Sequence, residues 1–420
     1  MNSNWQKNNY ILRMRELPVF VLYTIVTMVV YLLPYTKFTM PYICVACLML
    51  ISLPFIMLRR SSWFTKAGIL LVLSFFVCLM NLVGGNYSFI DALNEMLRNI
   101  RFFIPVFWAS YSIYYLSNRQ RKKTMFCFMI VVTYIMFQTI KALSENRWIT
   151  RLLAEDKSMS SAEVNAYRLQ NVGGFEYSYM IGIVVLCLVW TVLNVKSIRV
   201  KVISLSLSII GFYYIIRTMY TTLLLLTVMG IALLIFFSIK NPFIKLVFII
   251  TSITILLLIV PLLGYLSGAF GDSLLAEKFT QIQQTLIGEG IDELGVRPKL
   301  MANALKNWIK SPIWGGYGID SNAHSFIFTM LEQNGLIGLG CWGILYWQSW
   351  KMVTGDLKRQ NIRVDLFHIV MLYVLALCFL NPIGYAFEIT IMAFYVTSLW
   401  LTTCCSENKK RRNFNEKMET

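Results

Sequence analysis

The sequence predicts an all-α, polytopic membrane helix bundle, and three observations predict it. The chain is 57% hydrophobic and only 14% charged, with a mean hydropathy of +0.62, whereas a soluble domain carries roughly a quarter charged residues. Its apolar runs approach the roughly 20 residues that cross a bilayer as helix. The alternating pattern of a membrane β-barrel is absent, and in lipid only helices and closed barrels satisfy their own backbone.

The apolar pattern gives twelve spans, at about 17–33, 40–58, 67–84, 102–117, 124–141, 178–195, 202–216, 219–239, 246–265, 325–350, 366–382 and 387–404. An even number puts both termini on one side. The basic N-terminus, MNSNWQKNNYILRMRE, has no small-residue cleavage site after the first run, so that run reads as an uncleaved span. The connectors LRRSSWFTK, SNRQRKK, KSIRVK, KNPFIK and KMVTGDLKRQNIRVD are short and basic. With both termini they hold 24 of the 38 Lys and Arg, which assigns that side to the cytoplasm. The net charge of +17 belongs to these clusters and implies no nucleic-acid partner. The nine cysteines fall in apolar runs or, as Cys404 and Cys405, at a helix end, so they imply neither a disulfide framework nor a metal cluster.

The other face carries the long segments 142–177 and 266–324 and a medium one at 85–101. Within the longest, Leu275, Phe279, Ile282 and Leu286 recur at helical spacing over 274–286, after a cap at Asp272. A second helix starts at Pro298, since proline suits a first turn. Its apolar stripe is Leu300, Met301, Ala304, Leu305, Trp308 and Ile309, with Lys299, Asn303, Lys306 and Lys310 opposite. Such a helix lies in the membrane interface. It ends at Ser311–Pro312, before the glycine turn of WGGYG. A third amphipathic stretch, 87–101, aligns Ile90, Leu93, Leu97 and Ile100 and carries Arg98 and Arg101.

Candidate chemistry gathers on this face. His324 stands where the long loop meets the tenth span, and a neutral imidazole there can accept a proton from a hydroxyl or simply cap the helix. Arg217 interrupts an apolar stretch, Val202 to Ile239, too long for a single crossing, so the chain must turn near it. An ionisable group at such a depth marks a site unless it snorkels to the headgroups. Arg297, with Arg217 and Arg168, offers planar bidentate donors for a diphosphate. Arg98 and Arg101 either bind the same ligand or anchor an interfacial helix. Lys299 joins the binding candidates, and Glu176, Asp320 and Glu332 are the best-placed carboxylates. His368 reads as a helix-start residue on the cytoplasmic side. No GxxxxGK[ST] loop, HExxH or outer-face D-x-D pair occurs, so ATP hydrolysis and metal-dependent nucleotide-sugar chemistry are unsupported.

The stretch GGYGIDSNAHSFIFTMLEQNGLIG resembles the signature of Wzy-type O-antigen and capsule polymerases and of O-antigen ligases. There a Gly-x-Gly turn leads through a His into a helix with Glu-x-x-Gly-Leu-hydrophobic-Gly. The matching residues are Gly316 and Gly318, His324, and Glu332 through Gly338, with Ser325 in place of the usual Asn. Upstream, Arg297 in RPKLMANALKNWIKSPIWGGYG takes the place of the family's arginine, and IIRTMYTTLLLL resembles its arginine-bearing span end at Arg217. About residues 200–345 carry the resemblance. It implies a metal-independent, cofactor-free inverting glycosyltransferase of the membrane-embedded class, acting on undecaprenyl-diphosphate-linked glycans at the outer face of a bacterial cytoplasmic membrane. His324, Arg297 and Arg217 would be catalytic, and Arg168, Arg98, Arg101, Lys299 and Glu332 would bind substrate. Membrane lipid, a chain-length regulator and a flippase are the implied partners. Two alternatives stay open: a ligase moving finished glycan to a different acceptor, and a polysaccharide flippase.

Overall fold

A computed structural model describes residues 21–39, 104–155, 161–271, 274–287, 293–315, 324–382 and 386–405. Among these residues all regular structure is helical, with no strand. In chain order the helices are α1 (Val21–Leu32), α2 (Pro34–Thr39), α3 (104–115), α4 (Asn118–Glu145), α5 (Ile149–Glu155), α6 (Ser161–Leu169), α7 (Phe175–Asn194), α8 (Ile198–Thr218), α9 (Thr221–Ser238), α10 (Pro242–Leu257), α11 (Ile259–Phe270), α12 (Leu274–Leu286), α13 (Glu293–Lys310), α14 (Phe326–Arg359), α15 (Asp365–Leu380) and α16 (Phe387–Cys405).

Five of these, α4, α7, α8, α9 and α16, are long and apolar enough to cross a membrane, and the bent pair α10–α11 makes up to six. The expected spans at 40–58 and 67–84, and the stretch at 87–101, lie outside the described residues. Those at 17–33 and 366–382 appear as the shorter apolar helices α1 and α15. The helix α14 is 34 residues long, but the run Glu332–Gln333–Asn334 and several glycines make it more polar than a simple span. The expected continuous span at 246–265 is instead broken, with α10 and α11 meeting at 72°. Pro261, three residues into α11, has no N–H to give the Leu257 carbonyl, so the α10 ladder cannot run on.

The bundle is organised around α7, which packs against α5, α8, α9, α15 and α16. Close approach is possible because Gly182 presents no side chain: a Cβ there would stand 2.2 Å from the Tyr373 hydroxyl and 2.9 Å from Thr227 Oγ1. The last helix, α16, is wholly enclosed. Its aromatics meet those of α1 and α3, with Trp108 5.5 Å from Tyr395 and 6.5 Å from Phe387, and Tyr31 4.1 Å from Phe387. Mid-helix, α16 widens to a π-turn over Ile391–Val396, where the Thr397 hydroxyl donates to the Met392 carbonyl five residues back. The outward faces are apolar too: Ile198, Val202, Leu205 and Ile209 of α8 stand exposed, as a surface suited to lipid requires.

The helix ends fall into two groups. The starts of α7, α9, α14 and α16 and the ends of α4, α8 and α15 share one end of the bundle, together with α5 and α13; the loop residues join there through hydrogen bonds. The sequence pattern reads this end as the outer one.

Candidate functional site

The site is built on the turn between α8 and α9. The stretch from Val202 to Ile239 requires a turn near Arg217, and it falls at Met219, whose φ of 58° puts a bulky side chain in the left-handed region. The helix before the turn has 21 residues, longer than the span expected at 202–216, so Arg217 lies in its last turn. A cation suits the end of a helix whose dipole is negative there.

Three guanidiniums converge on this turn. Arg217 Nη2 donates to the Leu143 carbonyl at 3.0 Å, and Arg151 Nη2 donates to the Met219 carbonyl at 3.1 Å. Arg297 Nη1 reaches Thr222 Oγ1 at 3.4 Å and the Leu380 carbonyl at 3.3 Å. All three rest on neutral oxygens in these contacts. Arginine is the residue suited to such seats, because its planar fork can hold one oxygen and still present further donors.

An aromatic wall stands beside them. Phe175 lies 4.8 Å from Tyr179 and 5.1 Å from Tyr220, and the two tyrosines stack at 5.9 Å. Arg151 lies over Trp148 at 5.3 Å and over Tyr220 at 5.9 Å, both within cation–π range. The Tyr220 hydroxyl donates to the Thr150 carbonyl at 2.8 Å. The Tyr179 hydroxyl faces Thr222 and Asn381, in the field of Arg297 and Arg151.

His324 stands two residues before α14. Ser325 caps α14 by accepting from the Phe328 N–H at 3.4 Å, and its own hydroxyl donates to the Cys378 carbonyl at 3.5 Å. The Phe326 N–H donates to the Asn381 carbonyl at 3.0 Å. The end of α15 therefore holds both predicted elements on consecutive carbonyls: Leu380 receives Arg297 and Asn381 receives the residue two beyond His324. His324 is half-buried and has a φ of 47°. A non-glycine residue held left-handed is a strained position of the kind that collects at functional sites.

A glycine lock fixes the start of α14. Gly335 breaks the helix with φ 60° and ψ −164°, and Gly315 has φ 91°. A Cβ on Gly335 would lie 2.2 Å from the Ile313 carbonyl oxygen, and one on Gly315 would lie 2.3 Å from that of Gln333. The backbones press together and bond, Leu336 N–H to the Pro312 carbonyl at 3.0 Å and Ile337 N–H to that of Ile313 at 3.3 Å. Gly315 and Gly335 thus dock the end of α13 onto α14.

The other sequence candidates spread out. Glu332 is fully buried between α13 and α14, where Oε1 accepts from Asn307 Nδ2 at 2.7 Å. Lys299 is exposed on α13, along with Lys306 and Lys310, while Ala304 of the apolar stripe is buried. The stripe is not uniformly covered, since Ile309 is 66% exposed. That helix begins at Glu293, five residues before the expected Pro298, so the proline lies inside it, not in its first turn. The helix expected over 274–286 is present with those bounds. Arg168 lies in the last turn of α6, the helix packed on α2, and Glu176 is in the first turn of α7. Arg98, Arg101 and Asp320 lie outside the described residues. His368 is at the far end of the bundle, where its Nδ1 accepts from Trp350 Nε1 at 2.8 Å.

Sequence reading missed Arg151, Tyr179, Thr222 and Asn381. Arg151 had a signal in its i,i+3 spacing from Trp148, which sets both on one face of a helix. Asn381 had one as the amide ending an apolar run before Pro382. No protein-family profile matches this chain, and no curated protein sequence matches it.

Proposed function

We propose that this chain is a polysaccharide polymerase of the membrane-embedded glycosyltransferase class, working at the outer face of a bacterial cytoplasmic membrane with both termini in the cytoplasm. The reading rests on the signature resemblance at residues 297–338. The observation that carries it is that Arg297 and Phe326, two residues after His324, bond to the consecutive carbonyls of Leu380 and Asn381, with Arg217 and Arg151 on the neighbouring α8–α9 turn.

In this reading, undecaprenyl diphosphate bearing the growing glycan lies with its diphosphate against Arg297 and Arg217. His324 accepts the proton of an acceptor sugar hydroxyl on a second lipid-linked repeat unit. That oxygen attacks the anomeric carbon from the opposite face and inverts it. The bond from carbon to the diphosphate oxygen breaks, and undecaprenyl diphosphate leaves with the electron pair. Guanidiniums stabilise the charge developing on that oxygen, which is the largest service an active site of this kind can render. In this reading Lys299, exposed on α13, is a further binding residue, and a chain-length regulator and flippase act on the same pathway.

The test is synthesis by purified protein given defined lipid-linked repeat units alone, with wild type forming a ladder and His324→Asn forming none. Asparagine tolerates the left-handed backbone at 324, so the variant separates the loss of the imidazole from the loss of the fold. A wild-type ladder from His324→Asn overturns the assignment. A ligase would give no ladder until a foreign acceptor is added. The bend between α10 and α11 and the kink at Gly335 are features a transporter also uses, and translocation of labelled lipid-linked sugar without bond formation would favour that reading instead.

A further inference from the structure

Beside Arg297 the described residues hold a second enclosed donor with no acceptor. Arg297 Nε is buried and makes no hydrogen bond, and Asn381 Nδ2, on a residue only 1% exposed, meets no acceptor at hydrogen-bond distance although the Tyr179 hydroxyl stands near it. Both belong to the same few residues, because Arg297 Nη1 bonds to the Leu380 carbonyl next to Asn381 and Tyr179 faces both side chains. No ion pair among the described residues includes Arg297. Two buried N–H donors without an acceptor are costly to fold, and native proteins keep such groups only for a reason.

We propose that Arg297 Nε and Asn381 Nδ2 form a two-donor cradle for one phosphoryl group of an anionic lipid head group, with Asn381 as a binding residue alongside the arginines. Asn381 contributes what a further arginine could not, a donor without charge that adds hydrogen bonding without raising the repulsion among three neighbouring guanidiniums. The amide is aimed from the end of α15, whose Leu380 carbonyl already anchors Arg297, so the ligand's position is coupled to the packing of α15 against α14. The polymerase reading supplies only the identity of the ligand as a lipid diphosphate; the cradle itself stands on the unmatched donors.

The experiment measures binding of undecaprenyl diphosphate, undecaprenol and inorganic pyrophosphate to the full chain in nanodiscs, for wild type and for Asn381→Asp and Asn381→Ser. Wild type should prefer the lipid diphosphate to the alcohol by tenfold or more. Asn381→Asp keeps the size of the side chain but sets a carboxylate beside Arg297. It should therefore hold or raise the thermal midpoint while weakening diphosphate binding by at least tenfold, about 1.4 kcal/mol. Asn381→Ser should weaken binding to a similar degree. Equal binding of the alcohol, unchanged diphosphate affinity in both variants, or a lowered midpoint in Asn381→Asp each overturns the cradle. Pyrophosphate binding as tightly as the lipid and lost in Asn381→Asp keeps the cradle but assigns it a free phosphate ligand. The two readings fail separately: intact binding without a ladder sinks the polymerase and leaves the cradle. A ladder with variants that bind normally does the reverse.

Discussion

The two ends of the bundle differ in where arginines meet carboxylates, although both seat an arginine on carbonyls: at the far end Arg121 donates to those of Ser112 and Ile113 at 3.1 and 2.9 Å. At the far end, Arg363 pairs with Asp365 at 2.8 Å and with Asn194 at 2.8 Å, and Trp190 donates to the same carboxylate at 3.3 Å. Nearby, the buried Asp356 takes hydrogen bonds from Ser110 and Tyr114, with Arg359 3.9 Å away. At the α8–α9 end, Arg217 and Arg297 instead rest on backbone carbonyls and a threonine hydroxyl. A cation answered by a carboxylate holds structure together. One seated on neutral oxygens keeps most of its field for something else. Composition alone does not make this distinction, since both ends are rich in arginine.

The largest effect should come from breaking that asymmetry directly. Arg297→Gln should cut ladder synthesis by about a hundredfold or more, the usual loss when one donor to a developing oxyanion is removed. Arg363→Gln should leave synthesis within about twofold, since an exposed pair is worth only ~0–1 kcal/mol. Paired assays of the two purified variants check this. Equal losses would show that the ends do not differ in role.

The next largest effect is on folding. Gly335→Ala forces a side chain into backbone that is essentially confined to glycine, at about 1–3 kcal/mol, and drives its Cβ against the Ile313 carbonyl. The contact is backbone to backbone, so neither side can yield cheaply. Thermal unfolding in detergent should show a clear drop, with any ladder activity falling along with the folded fraction. Gly340→Ala, where a Cβ meets nothing within 4 Å, is the control and should be near neutral.

How far these features could be read from sequence follows from the range of the interactions. Local periodicity was enough for α12 and for the end of α13, because helical spacing and the Ser311–Pro312 stop lie within a few residues. The turn at Met219 followed from length alone. The basic connectors and apolar runs set the bundle class, but not the break at Pro261, where a residue mild by composition removes a particular hydrogen bond. The cluster was half legible. Arg217, Arg297 and His324 announce themselves as ionisable groups next to apolar runs. Asn381 and Tyr179 do not, since an amide and a phenol at a span end are ordinary until the fold sets Arg297 beside them, 83 positions away along the chain in the case of the Leu380 carbonyl. Glu332 shows the reverse: a residue conspicuous in its motif is enclosed between two helices and bonded to Asn307.

A smaller effect tests the aromatic wall. Tyr220→Phe removes the hydroxyl that donates to the Thr150 carbonyl while keeping the ring under Arg151 and against Phe175. The cost to stability should be about 1 kcal/mol, the net worth of a typical internal hydrogen bond. Because Thr150 precedes Arg151, the seat of Arg151 on Met219 should loosen as well, giving a several-fold rise in the half-saturating concentration of lipid-linked substrate. A stability loss without that rise would mean that the wall braces the bundle and does nothing for the ligand.

The smallest effect belongs to the far end. Asp365 sits in the first turn of α15, where a carboxylate meets the positive end of the helix dipole, and its side chain is 16% exposed against 55% for Arg363. Asp365→Asn keeps an oxygen for Trp190 but gives up the ion pair and the dipole term, each worth roughly 0.3–1 kcal/mol. The thermal midpoint should fall slightly at low salt and less at 1 M, because screening has already weakened what the mutation removes. Synthesis should be unchanged at either salt concentration. If Asp365→Asn instead lowered synthesis with the midpoint intact, the far end would also handle substrate, and the contrast between carboxylate-paired and carbonyl-seated arginines would lose its meaning as a guide to the site.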